Sequence, residues 1–123
     1  MGNVITSGVY CTPSGAFLLS AGLTLILDAQ GNQGAEFTFI AASTFTSLPY
    51  TVVRMVNGGS PGNVYWSIGS SATIGDYSTM VGNIIATASI TFNSYSTLSG
   101  RGIAGAAITC ASGSTITLAT QQR

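Results

Sequence analysis

Acidic side chains are the first residues of this 123-residue chain that could do chemistry, and there are three: Asp28, Glu36 and Asp76. Two carboxylates about 5–10 Å apart are the machinery of glycoside hydrolysis, and Asp28 and Glu36 could lie near one another. Isolated acids at corners more often cap turns, however. The sequence has no histidine and no lysine to serve as a base. We therefore expect no enzyme, no metal site and no other cofactor.

Charge is almost absent from the sequence: charged residues make up 5% of it, and the net charge is zero. A nucleic-acid binder needs a basic surface that displaces counterions, so nucleic acid is excluded as a partner. No apolar run reaches the roughly 18 residues that a membrane span requires. Richness in hydroxyls with so little charge favours an extracellular or cell-surface protein, and we recognise no signal sequence in this chain.

The C-terminal half of the chain repeats itself every 18 residues, over segments 71–86, 89–104 and 107–120. Matching positions include Thr73, Thr91 and Thr109; Ser78, Ser96 and Ser114; and Met80, Leu98 and Ile116. A repeat of this length without helical periodicity is typical of a β-solenoid, whose coils each have three strands and three corners. Upstream, "FTFIAASTFT" aligns with "VYWSIGSSAT" at a shift of 27. We expect the extra residues around the turn signals "TSLPY" and "NGGSPGN".

Strand alternation separates the side chains inside such a solenoid from those outside. In one strand of each coil, the outward positions are predicted to form a flat, uncharged ladder of small side chains. This ladder consists of Thr44, Thr46, Ser71, Thr73, Ser89, Thr91, Ala107 and Thr109. The alternate positions, ending with Ile108 and Cys110, are predicted to pack inside. A second strand of each coil offers an alternative ladder of Thr79, Thr97 and Thr115.

The third strand of each coil is apolar at nearly every position, as in "EFTFIA", "NVYWSIG", "NIIATA" and "RGIAGA". Strands that are apolar on both sides are usually covered on both sides. We therefore predict an assembly or packing face on the outside of these strands. Its predicted members are Phe39, Tyr65, Trp66, Ile84, Ile85 and Ile103. The sequence offers no evident amphipathic helix to cover this face.

The two cysteines, Cys11 and Cys110, lie near opposite ends of the chain and so in different coils. A disulfide requires Cα atoms within about 7 Å. We expect both to be free thiols buried as small hydrophobic side chains.

Several stretches resemble the microbial ice-binding-like domain family, most specifically "LDAQGN", "NVYWSIGSSATIG", "VGNIIA" and "SGRGIA". The resemblance implies a single all-β domain over residues 1–123, a right-handed triangular β-solenoid of about five to six coils. It also implies that one flat face can bind ice. In the family, an N-terminal half adds a long helix along the solenoid and a strand beside the last coil. This sequence resembles the C-terminal part only.

Two functions follow, and the sequence leaves both open. Ice is an uncharged lattice of water, so its binder needs a flat, rigid array of hydroxyl and methyl groups, which threonine supplies. We predict a non-catalytic, antifreeze-like protein that uses the first ladder, with an ice crystal surface as its partner. The alternative is a self-assembling structural protein. Unpaired strand edges at the coil ends could stack copies head to tail into filaments, and the apolar face could also join copies.

Overall fold

The computed structural model describes residues 3–11 and 15–117, which form fourteen β-strands and one 3-10 turn, Pro61–Asn63. The strands are β1 (Asn3–Thr6), β2 (Gly8–Cys11), β3 (Phe17–Leu19), β4 (Thr24–Asp28), β5 (Phe37–Ala41), β6 (Phe45–Ser47), β7 (Val52–Val56), β8 (Val64–Ile68), β9 (Ala72–Ile74), β10 (Thr79–Ala86), β11 (Ser89–Phe92), β12 (Thr97–Ala104), β13 (Ala107–Cys110) and β14 (Thr115–Thr117). Every strand pair among these residues is parallel. Parallel neighbours require the chain to return to the same side before each new strand, and here it does so by coiling.

Three faces surround the core. Face A contains β3, β6, β9, β11 and β13. Face B contains β1, β4, β7, the first parts of β10 and β12, and β14. Face C contains β2, β5, β8 and the second parts of β10 and β12. After β1, the chain visits faces C, A and B five times, so the predicted solenoid of five to six coils is confirmed.

The register confirms the repeat and corrects its insertion point. Thr73, Thr91 and Thr109 are register partners, as the 18-residue repeat predicted. The turn at "TSLPY" is no longer than its counterpart in the next coil, because the shift of 27 holds on both sides of it. The expected insertion there was wrong. All the extra length lies between β7 and β8, where "NGGSPGN" forms an extended corner.

Aromatic rings fill the middle of the solenoid. Phe39 and Trp66, from adjacent coils of face C, stack with ring centroids 4.0 Å apart, and Phe45 of face A lies 5.0 Å from the Trp66 ring. The indole Nε1 of Trp66 donates a hydrogen bond of 2.9 Å to the carbonyl of Val81. The one polar atom of this large side chain is therefore satisfied, which removes the penalty of burying it.

Two glycines let the chain turn from face B to face C within a single strand. Gly82 in β10 and Gly100 in β12 are register partners, with φ angles of 111° and 151° that side-chain-bearing residues rarely adopt. A Cβ added to Gly100 would lie 2.0 Å from the Gly82 carbonyl oxygen. The corner is therefore so narrow that the two backbones touch, and this requires glycine.

The last described coil departs from the predicted burial. Ile108 is 43% exposed and Cys110 is exposed, although both occupy the same inward positions as the fully buried Ile90 and Phe92. Their strand, β13, is the end strand of face A, and no further described strand lies over it. Cys11 is exposed for a different reason: it follows Val9 on the outer side of face C. Both thiols are free as predicted, but the prediction that they are buried was wrong.

Candidate functional site

Face A presents two columns of small outward side chains, one residue from each coil. The first column contains Thr46, Thr73, Thr91 and Thr109, which are register partners on consecutive strands. The second contains Thr44, Ser71, Ser89 and Ala107, two residues earlier in each coil. All eight side chains are exposed or partly exposed. The structure therefore places every residue of the predicted ladder on one surface, with Leu18 of β3 extending the first column.

The spacing of this array follows from sheet geometry. Neighbouring strands lie about 4.8 Å apart, and alternate residues along a strand are separated by about 6.6 Å, so the two columns form a rectangular grid. β6, β9 and β11 each pair with a strand on both sides. In addition, none of the first column's threonine side chains has a hydrogen-bond partner within residues 3–11 and 15–117. Their hydroxyls are thus held in place yet free to bind an external partner.

Charge is excluded from face A. The charged residues that the structure describes are Asp28, Glu36, Arg54, Asp76 and Arg101, and none belongs to a face A strand. The inner side of the same strands is buried hydrophobic, for example Phe45, Ile90 and Phe92. An uncharged hydroxyl grid on a hydrophobic support suits an uncharged, regular partner better than an ionic one.

Face B carries the alternative ladder in a less regular setting. Thr79, Thr97 and Thr115 are register partners, but Val52 continues their column upstream. In the neighbouring column, Arg54 pairs with Ile26 and places a long charged side chain on the face. Face B is therefore less uniform than face A over the same coils.

Face C contains the six residues of the predicted assembly face, and only three of them point outward. Tyr65, Ile85 and Ile103 are 37%, 42% and 54% exposed. Phe39, Trp66 and Ile84 are buried at 0–1% exposure and belong to the core. Their placement on an outer surface was wrong. The sequence could not separate the two groups, because alternation disappears when a strand is apolar on both sides.

The acidic residues act at corners. The Asp28 carboxylate accepts hydrogen bonds from the Asn57 side-chain amide (2.7 Å) and from the Gln30 backbone N–H (2.8 Å). The Asp76 carboxylate accepts one from the backbone N–H of Ser94 (3.2 Å) in the next coil. These bonds join successive coils or tighten turns, which confirms the expected capping role. Within the residues that the structure describes, no group of three or more acidic, cysteine or histidine side chains could hold a metal ion.

These bonds predict a pH dependence of stability. The bonds from Asn57 and Gln30 favour the ionised carboxylate and hold the pKa of Asp28 below its ordinary value of 3.8. A lowered pKa in the folded state stabilises the fold above that ordinary value, and this contribution is lost as pH falls through the lowered pKa. The melting temperature of the wild type should therefore exceed that of Asp28→Asn by a constant amount near neutral pH. The difference should shrink below about pH 4. A difference independent of pH would contradict this prediction.

A column of tyrosines, which the sequence analysis did not single out, borders face A. Tyr50, Tyr77 and Tyr95 each lie three residues after a face A strand, and their rings stack with centroids 5.2 and 5.1 Å apart. We call these residues the tyrosine ladder. Their intervals of 27 and 18 residues are those of the threonine column, so the repeat contained the signal that could have found them. Gly113 follows in the last described coil, where a Cβ would lie 2.5 Å from the Tyr95 ring.

Stability alone does not explain the tyrosine ladder. The three residues have φ angles of 65°, 57° and 58°, a conformation that costs a side-chain-bearing residue about 1–2 kcal/mol. Glycine avoids that cost, and Gly22 and Gly113 take the equivalent corners of the outer coils with φ of 73° and 78°. Each stacked pair returns about 0.5–1.5 kcal/mol. Two stacked pairs at best offset three strained residues.

Comparison with known proteins gives a consistent result. The family model "Ice-binding-like" matches residues 1–117. An ice-binding protein of Nostoc sp. (strain HG1) is 40% identical over 89 residues, which are 72% of this chain and 32% of that protein. None of the described residues belongs to a helix long and apolar enough to cross a membrane.

Solved structures of ice-binding proteins share the fold. The crystal structure from the Antarctic ascomycete Antarctomyces psychrotrophicus has a TM-score of 0.87 and 31% identity, covering 98% of this chain and 58% of that one. The corresponding domain from Shewanella frigidimarina has a TM-score of 0.87 and 27% identity, covering 96% and 49%. The chain thus spans between a third and about three fifths of the length of these relatives. With a family model matched over nearly all its length and a solenoid like those of these relatives, the chain belongs to the ice-binding-like family.

Proposed function

We propose that this protein binds ice through face A and thereby acts as an antifreeze-type protein. The observation that carries the proposal is the uncharged grid of register-matched threonine and serine side chains on that face. Each threonine offers a hydroxyl to hydrogen-bond lattice water and a methyl group that fits between lattice positions. Because the backbone is paired on both sides, little conformational freedom is lost when the grid meets a crystal. The relatives named above are ice-binding proteins, which supports the same conclusion.

Face A is proposed over face B because of regularity. On face A the hydroxyl column runs through four consecutive coils from Thr46 to Thr109 without a charged residue. On face B the corresponding run is shorter, and Arg54 stands beside it. A protruding, hydrated guanidinium would hold a flat crystal surface away from its neighbours. Ice forms outside cells exposed to freezing, so we also propose an extracellular or cell-surface location.

Partition into slowly growing ice tests this function directly. The purified protein is mixed with an inert soluble protein of similar size, and part of the solution is frozen onto a cold surface. We expect the ice fraction to be enriched in this protein, because adsorbed molecules are overgrown while the inert protein is rejected. Equal exclusion of the two proteins from ice would contradict the proposal.

Association between copies is a second proposal, subordinate to ice binding. Its support is the exposure of Ile108 and Ile116, 43% and 39%, at core positions of the last described coil. We expect sedimentation velocity to show concentration-dependent growth that Ile108→Lys suppresses. Ile103→Lys, on the exposed outer side of face C, is the matched control for association through that face. A monomer at all concentrations would contradict association.

A further inference from the structure

The tyrosine ladder lies at the corner between faces A and B. Tyr77 is three residues beyond the end of β9 and two before the start of β10, so at most about 10 Å of chain separates it from the threonine grid. The three side chains are 60%, 48% and 55% exposed. Their corners are joined by backbone hydrogen bonds, including those from the Tyr50 N–H to Asp76 and from the Tyr77 N–H to Ser94, of 2.9 and 3.0 Å. The ladder is thus a fixed exposed ridge along one edge of face A.

Stacking decides which part of each ring a partner could reach. The rings are nearly parallel, with interplanar angles of 3° and 12°. Tyr77 has a neighbouring ring on either face, so a planar ligand such as a sugar cannot stack on it. Ring edges and phenolic hydroxyls are what remains accessible. None of these three hydroxyls has a hydrogen-bond partner in the described part of the chain.

The accessible groups repeat with the period of the neighbouring grid. Ring centroids 5.2 and 5.1 Å apart follow the coil spacing that also separates the threonines of face A. A phenol combines an apolar surface with a hydroxyl that both donates and accepts, as threonine does on a smaller scale. Stacking also immobilises the rings in advance, which lowers the entropic cost of binding. A partner with these properties is regular, uncharged and made of hydrogen-bonding units.

We propose that the hydroxyls of Tyr50, Tyr77 and Tyr95 form a third column of contacts with ice, continuing the threonine grid around the edge of face A. This inference rests on the proposed function. It also gives a reason for tyrosine at three corners where glycine would be less strained.

The deciding variant replaces all three tyrosines by phenylalanine, which keeps the stacked rings and removes only the hydroxyls. We expect its ice partition to fall by about threefold or more, a change typical of losing net-favourable hydrogen bonds. Tyr65→Phe is the matched control, because it removes an exposed phenolic hydroxyl from face C and should leave partition unchanged. Circular dichroism and melting temperature establish that each variant is folded. If the triple variant is destabilised, the single variant Tyr77→Phe provides the same comparison in a smaller step.

The outcomes separate this inference from the function beneath it. A wild type that partitions into ice, together with a folded triple variant that partitions equally well, overturns the tyrosine contact and leaves ice binding by face A intact. A wild type that is excluded from ice overturns both. Reduced partition of the triple variant with an unchanged Tyr65→Phe control supports the third column.

Discussion

Replacing Thr73 by tyrosine should reduce partition of the protein into ice by about tenfold or more, equivalent to about 1.4 kcal/mol of binding free energy or more. Thr73 lies near the middle of face A, with Thr46 and Thr91 as its register partners on either side. A tyrosine there would project beyond the plane of the grid and hold the crystal away from neighbouring hydroxyls. Thr91→Tyr should act in the same way, because Thr91 pairs with Thr73 and Thr109.

Thr79→Tyr is the matched control for both substitutions. Thr79 is also a partly exposed threonine on a flat face with register partners on both sides, but it lies on face B. We expect normal ice partition for this variant and similar melting temperatures for all three. If Thr79→Tyr abolished partition while Thr73→Tyr did not, face B would be the active face. If neither had an effect, the flat faces would not be the ice contact.

The register of the solenoid could be predicted from the sequence because its repeat is explicit. Ser78, Ser96 and Ser114 recur every 18 residues since each closes the same tight corner, as the Ser96 and Ser114 hydroxyls do by donating to carbonyls three residues earlier. Identical corners impose identical strand lengths. The outward threonines then follow from alternation alone. Both the coiled fold and the threonine ladder are therefore predictable from the order of the residues.

Other features depended on information that one coil does not contain. The exposure of Ile108 and Cys110 depends on which coil is last in the stack, since equivalent residues are buried in earlier coils. Phe39 and Trp66 could not be assigned to the inner side, because their strands are apolar on both sides. The tyrosine ladder was missed for a third reason. Its residues occupy turns, where hydropathy carries no information about facing, and only their spacing indicated a column.

Replacing Gly100 by alanine should destabilise the fold by about 2–4 kcal/mol, combining backbone strain with overpacking. Its φ of 151° disfavours any side chain, and the new Cβ would lie 2.0 Å from the carbonyl oxygen and 2.6 Å from the carbonyl carbon of Gly82. Both groups are backbone, held by the parallel pairing of β10 and β12, so neither can move without breaking that pairing. Against a typical stability of about 5–15 kcal/mol, this loss is large. Urea unfolding would measure it, and the melting temperature should fall by about 10 °C or more.

Gly102→Ala, two residues along the same strand, separates this corner effect from a general intolerance of β12 to alanine. A Cβ at Gly102 would meet only side-chain atoms, at 3.6 Å from Ile90 Cδ1 and 3.8 Å from Ile108 and Phe92, which are ordinary contacts. Its stability should stay within about 1 kcal/mol of the wild type. Equal losses for the two variants would mean that the strand, rather than the narrow corner, limits stability. A large loss at Gly100 alone would show that the direct turn from face B to face C depends on two glycine backbones in contact.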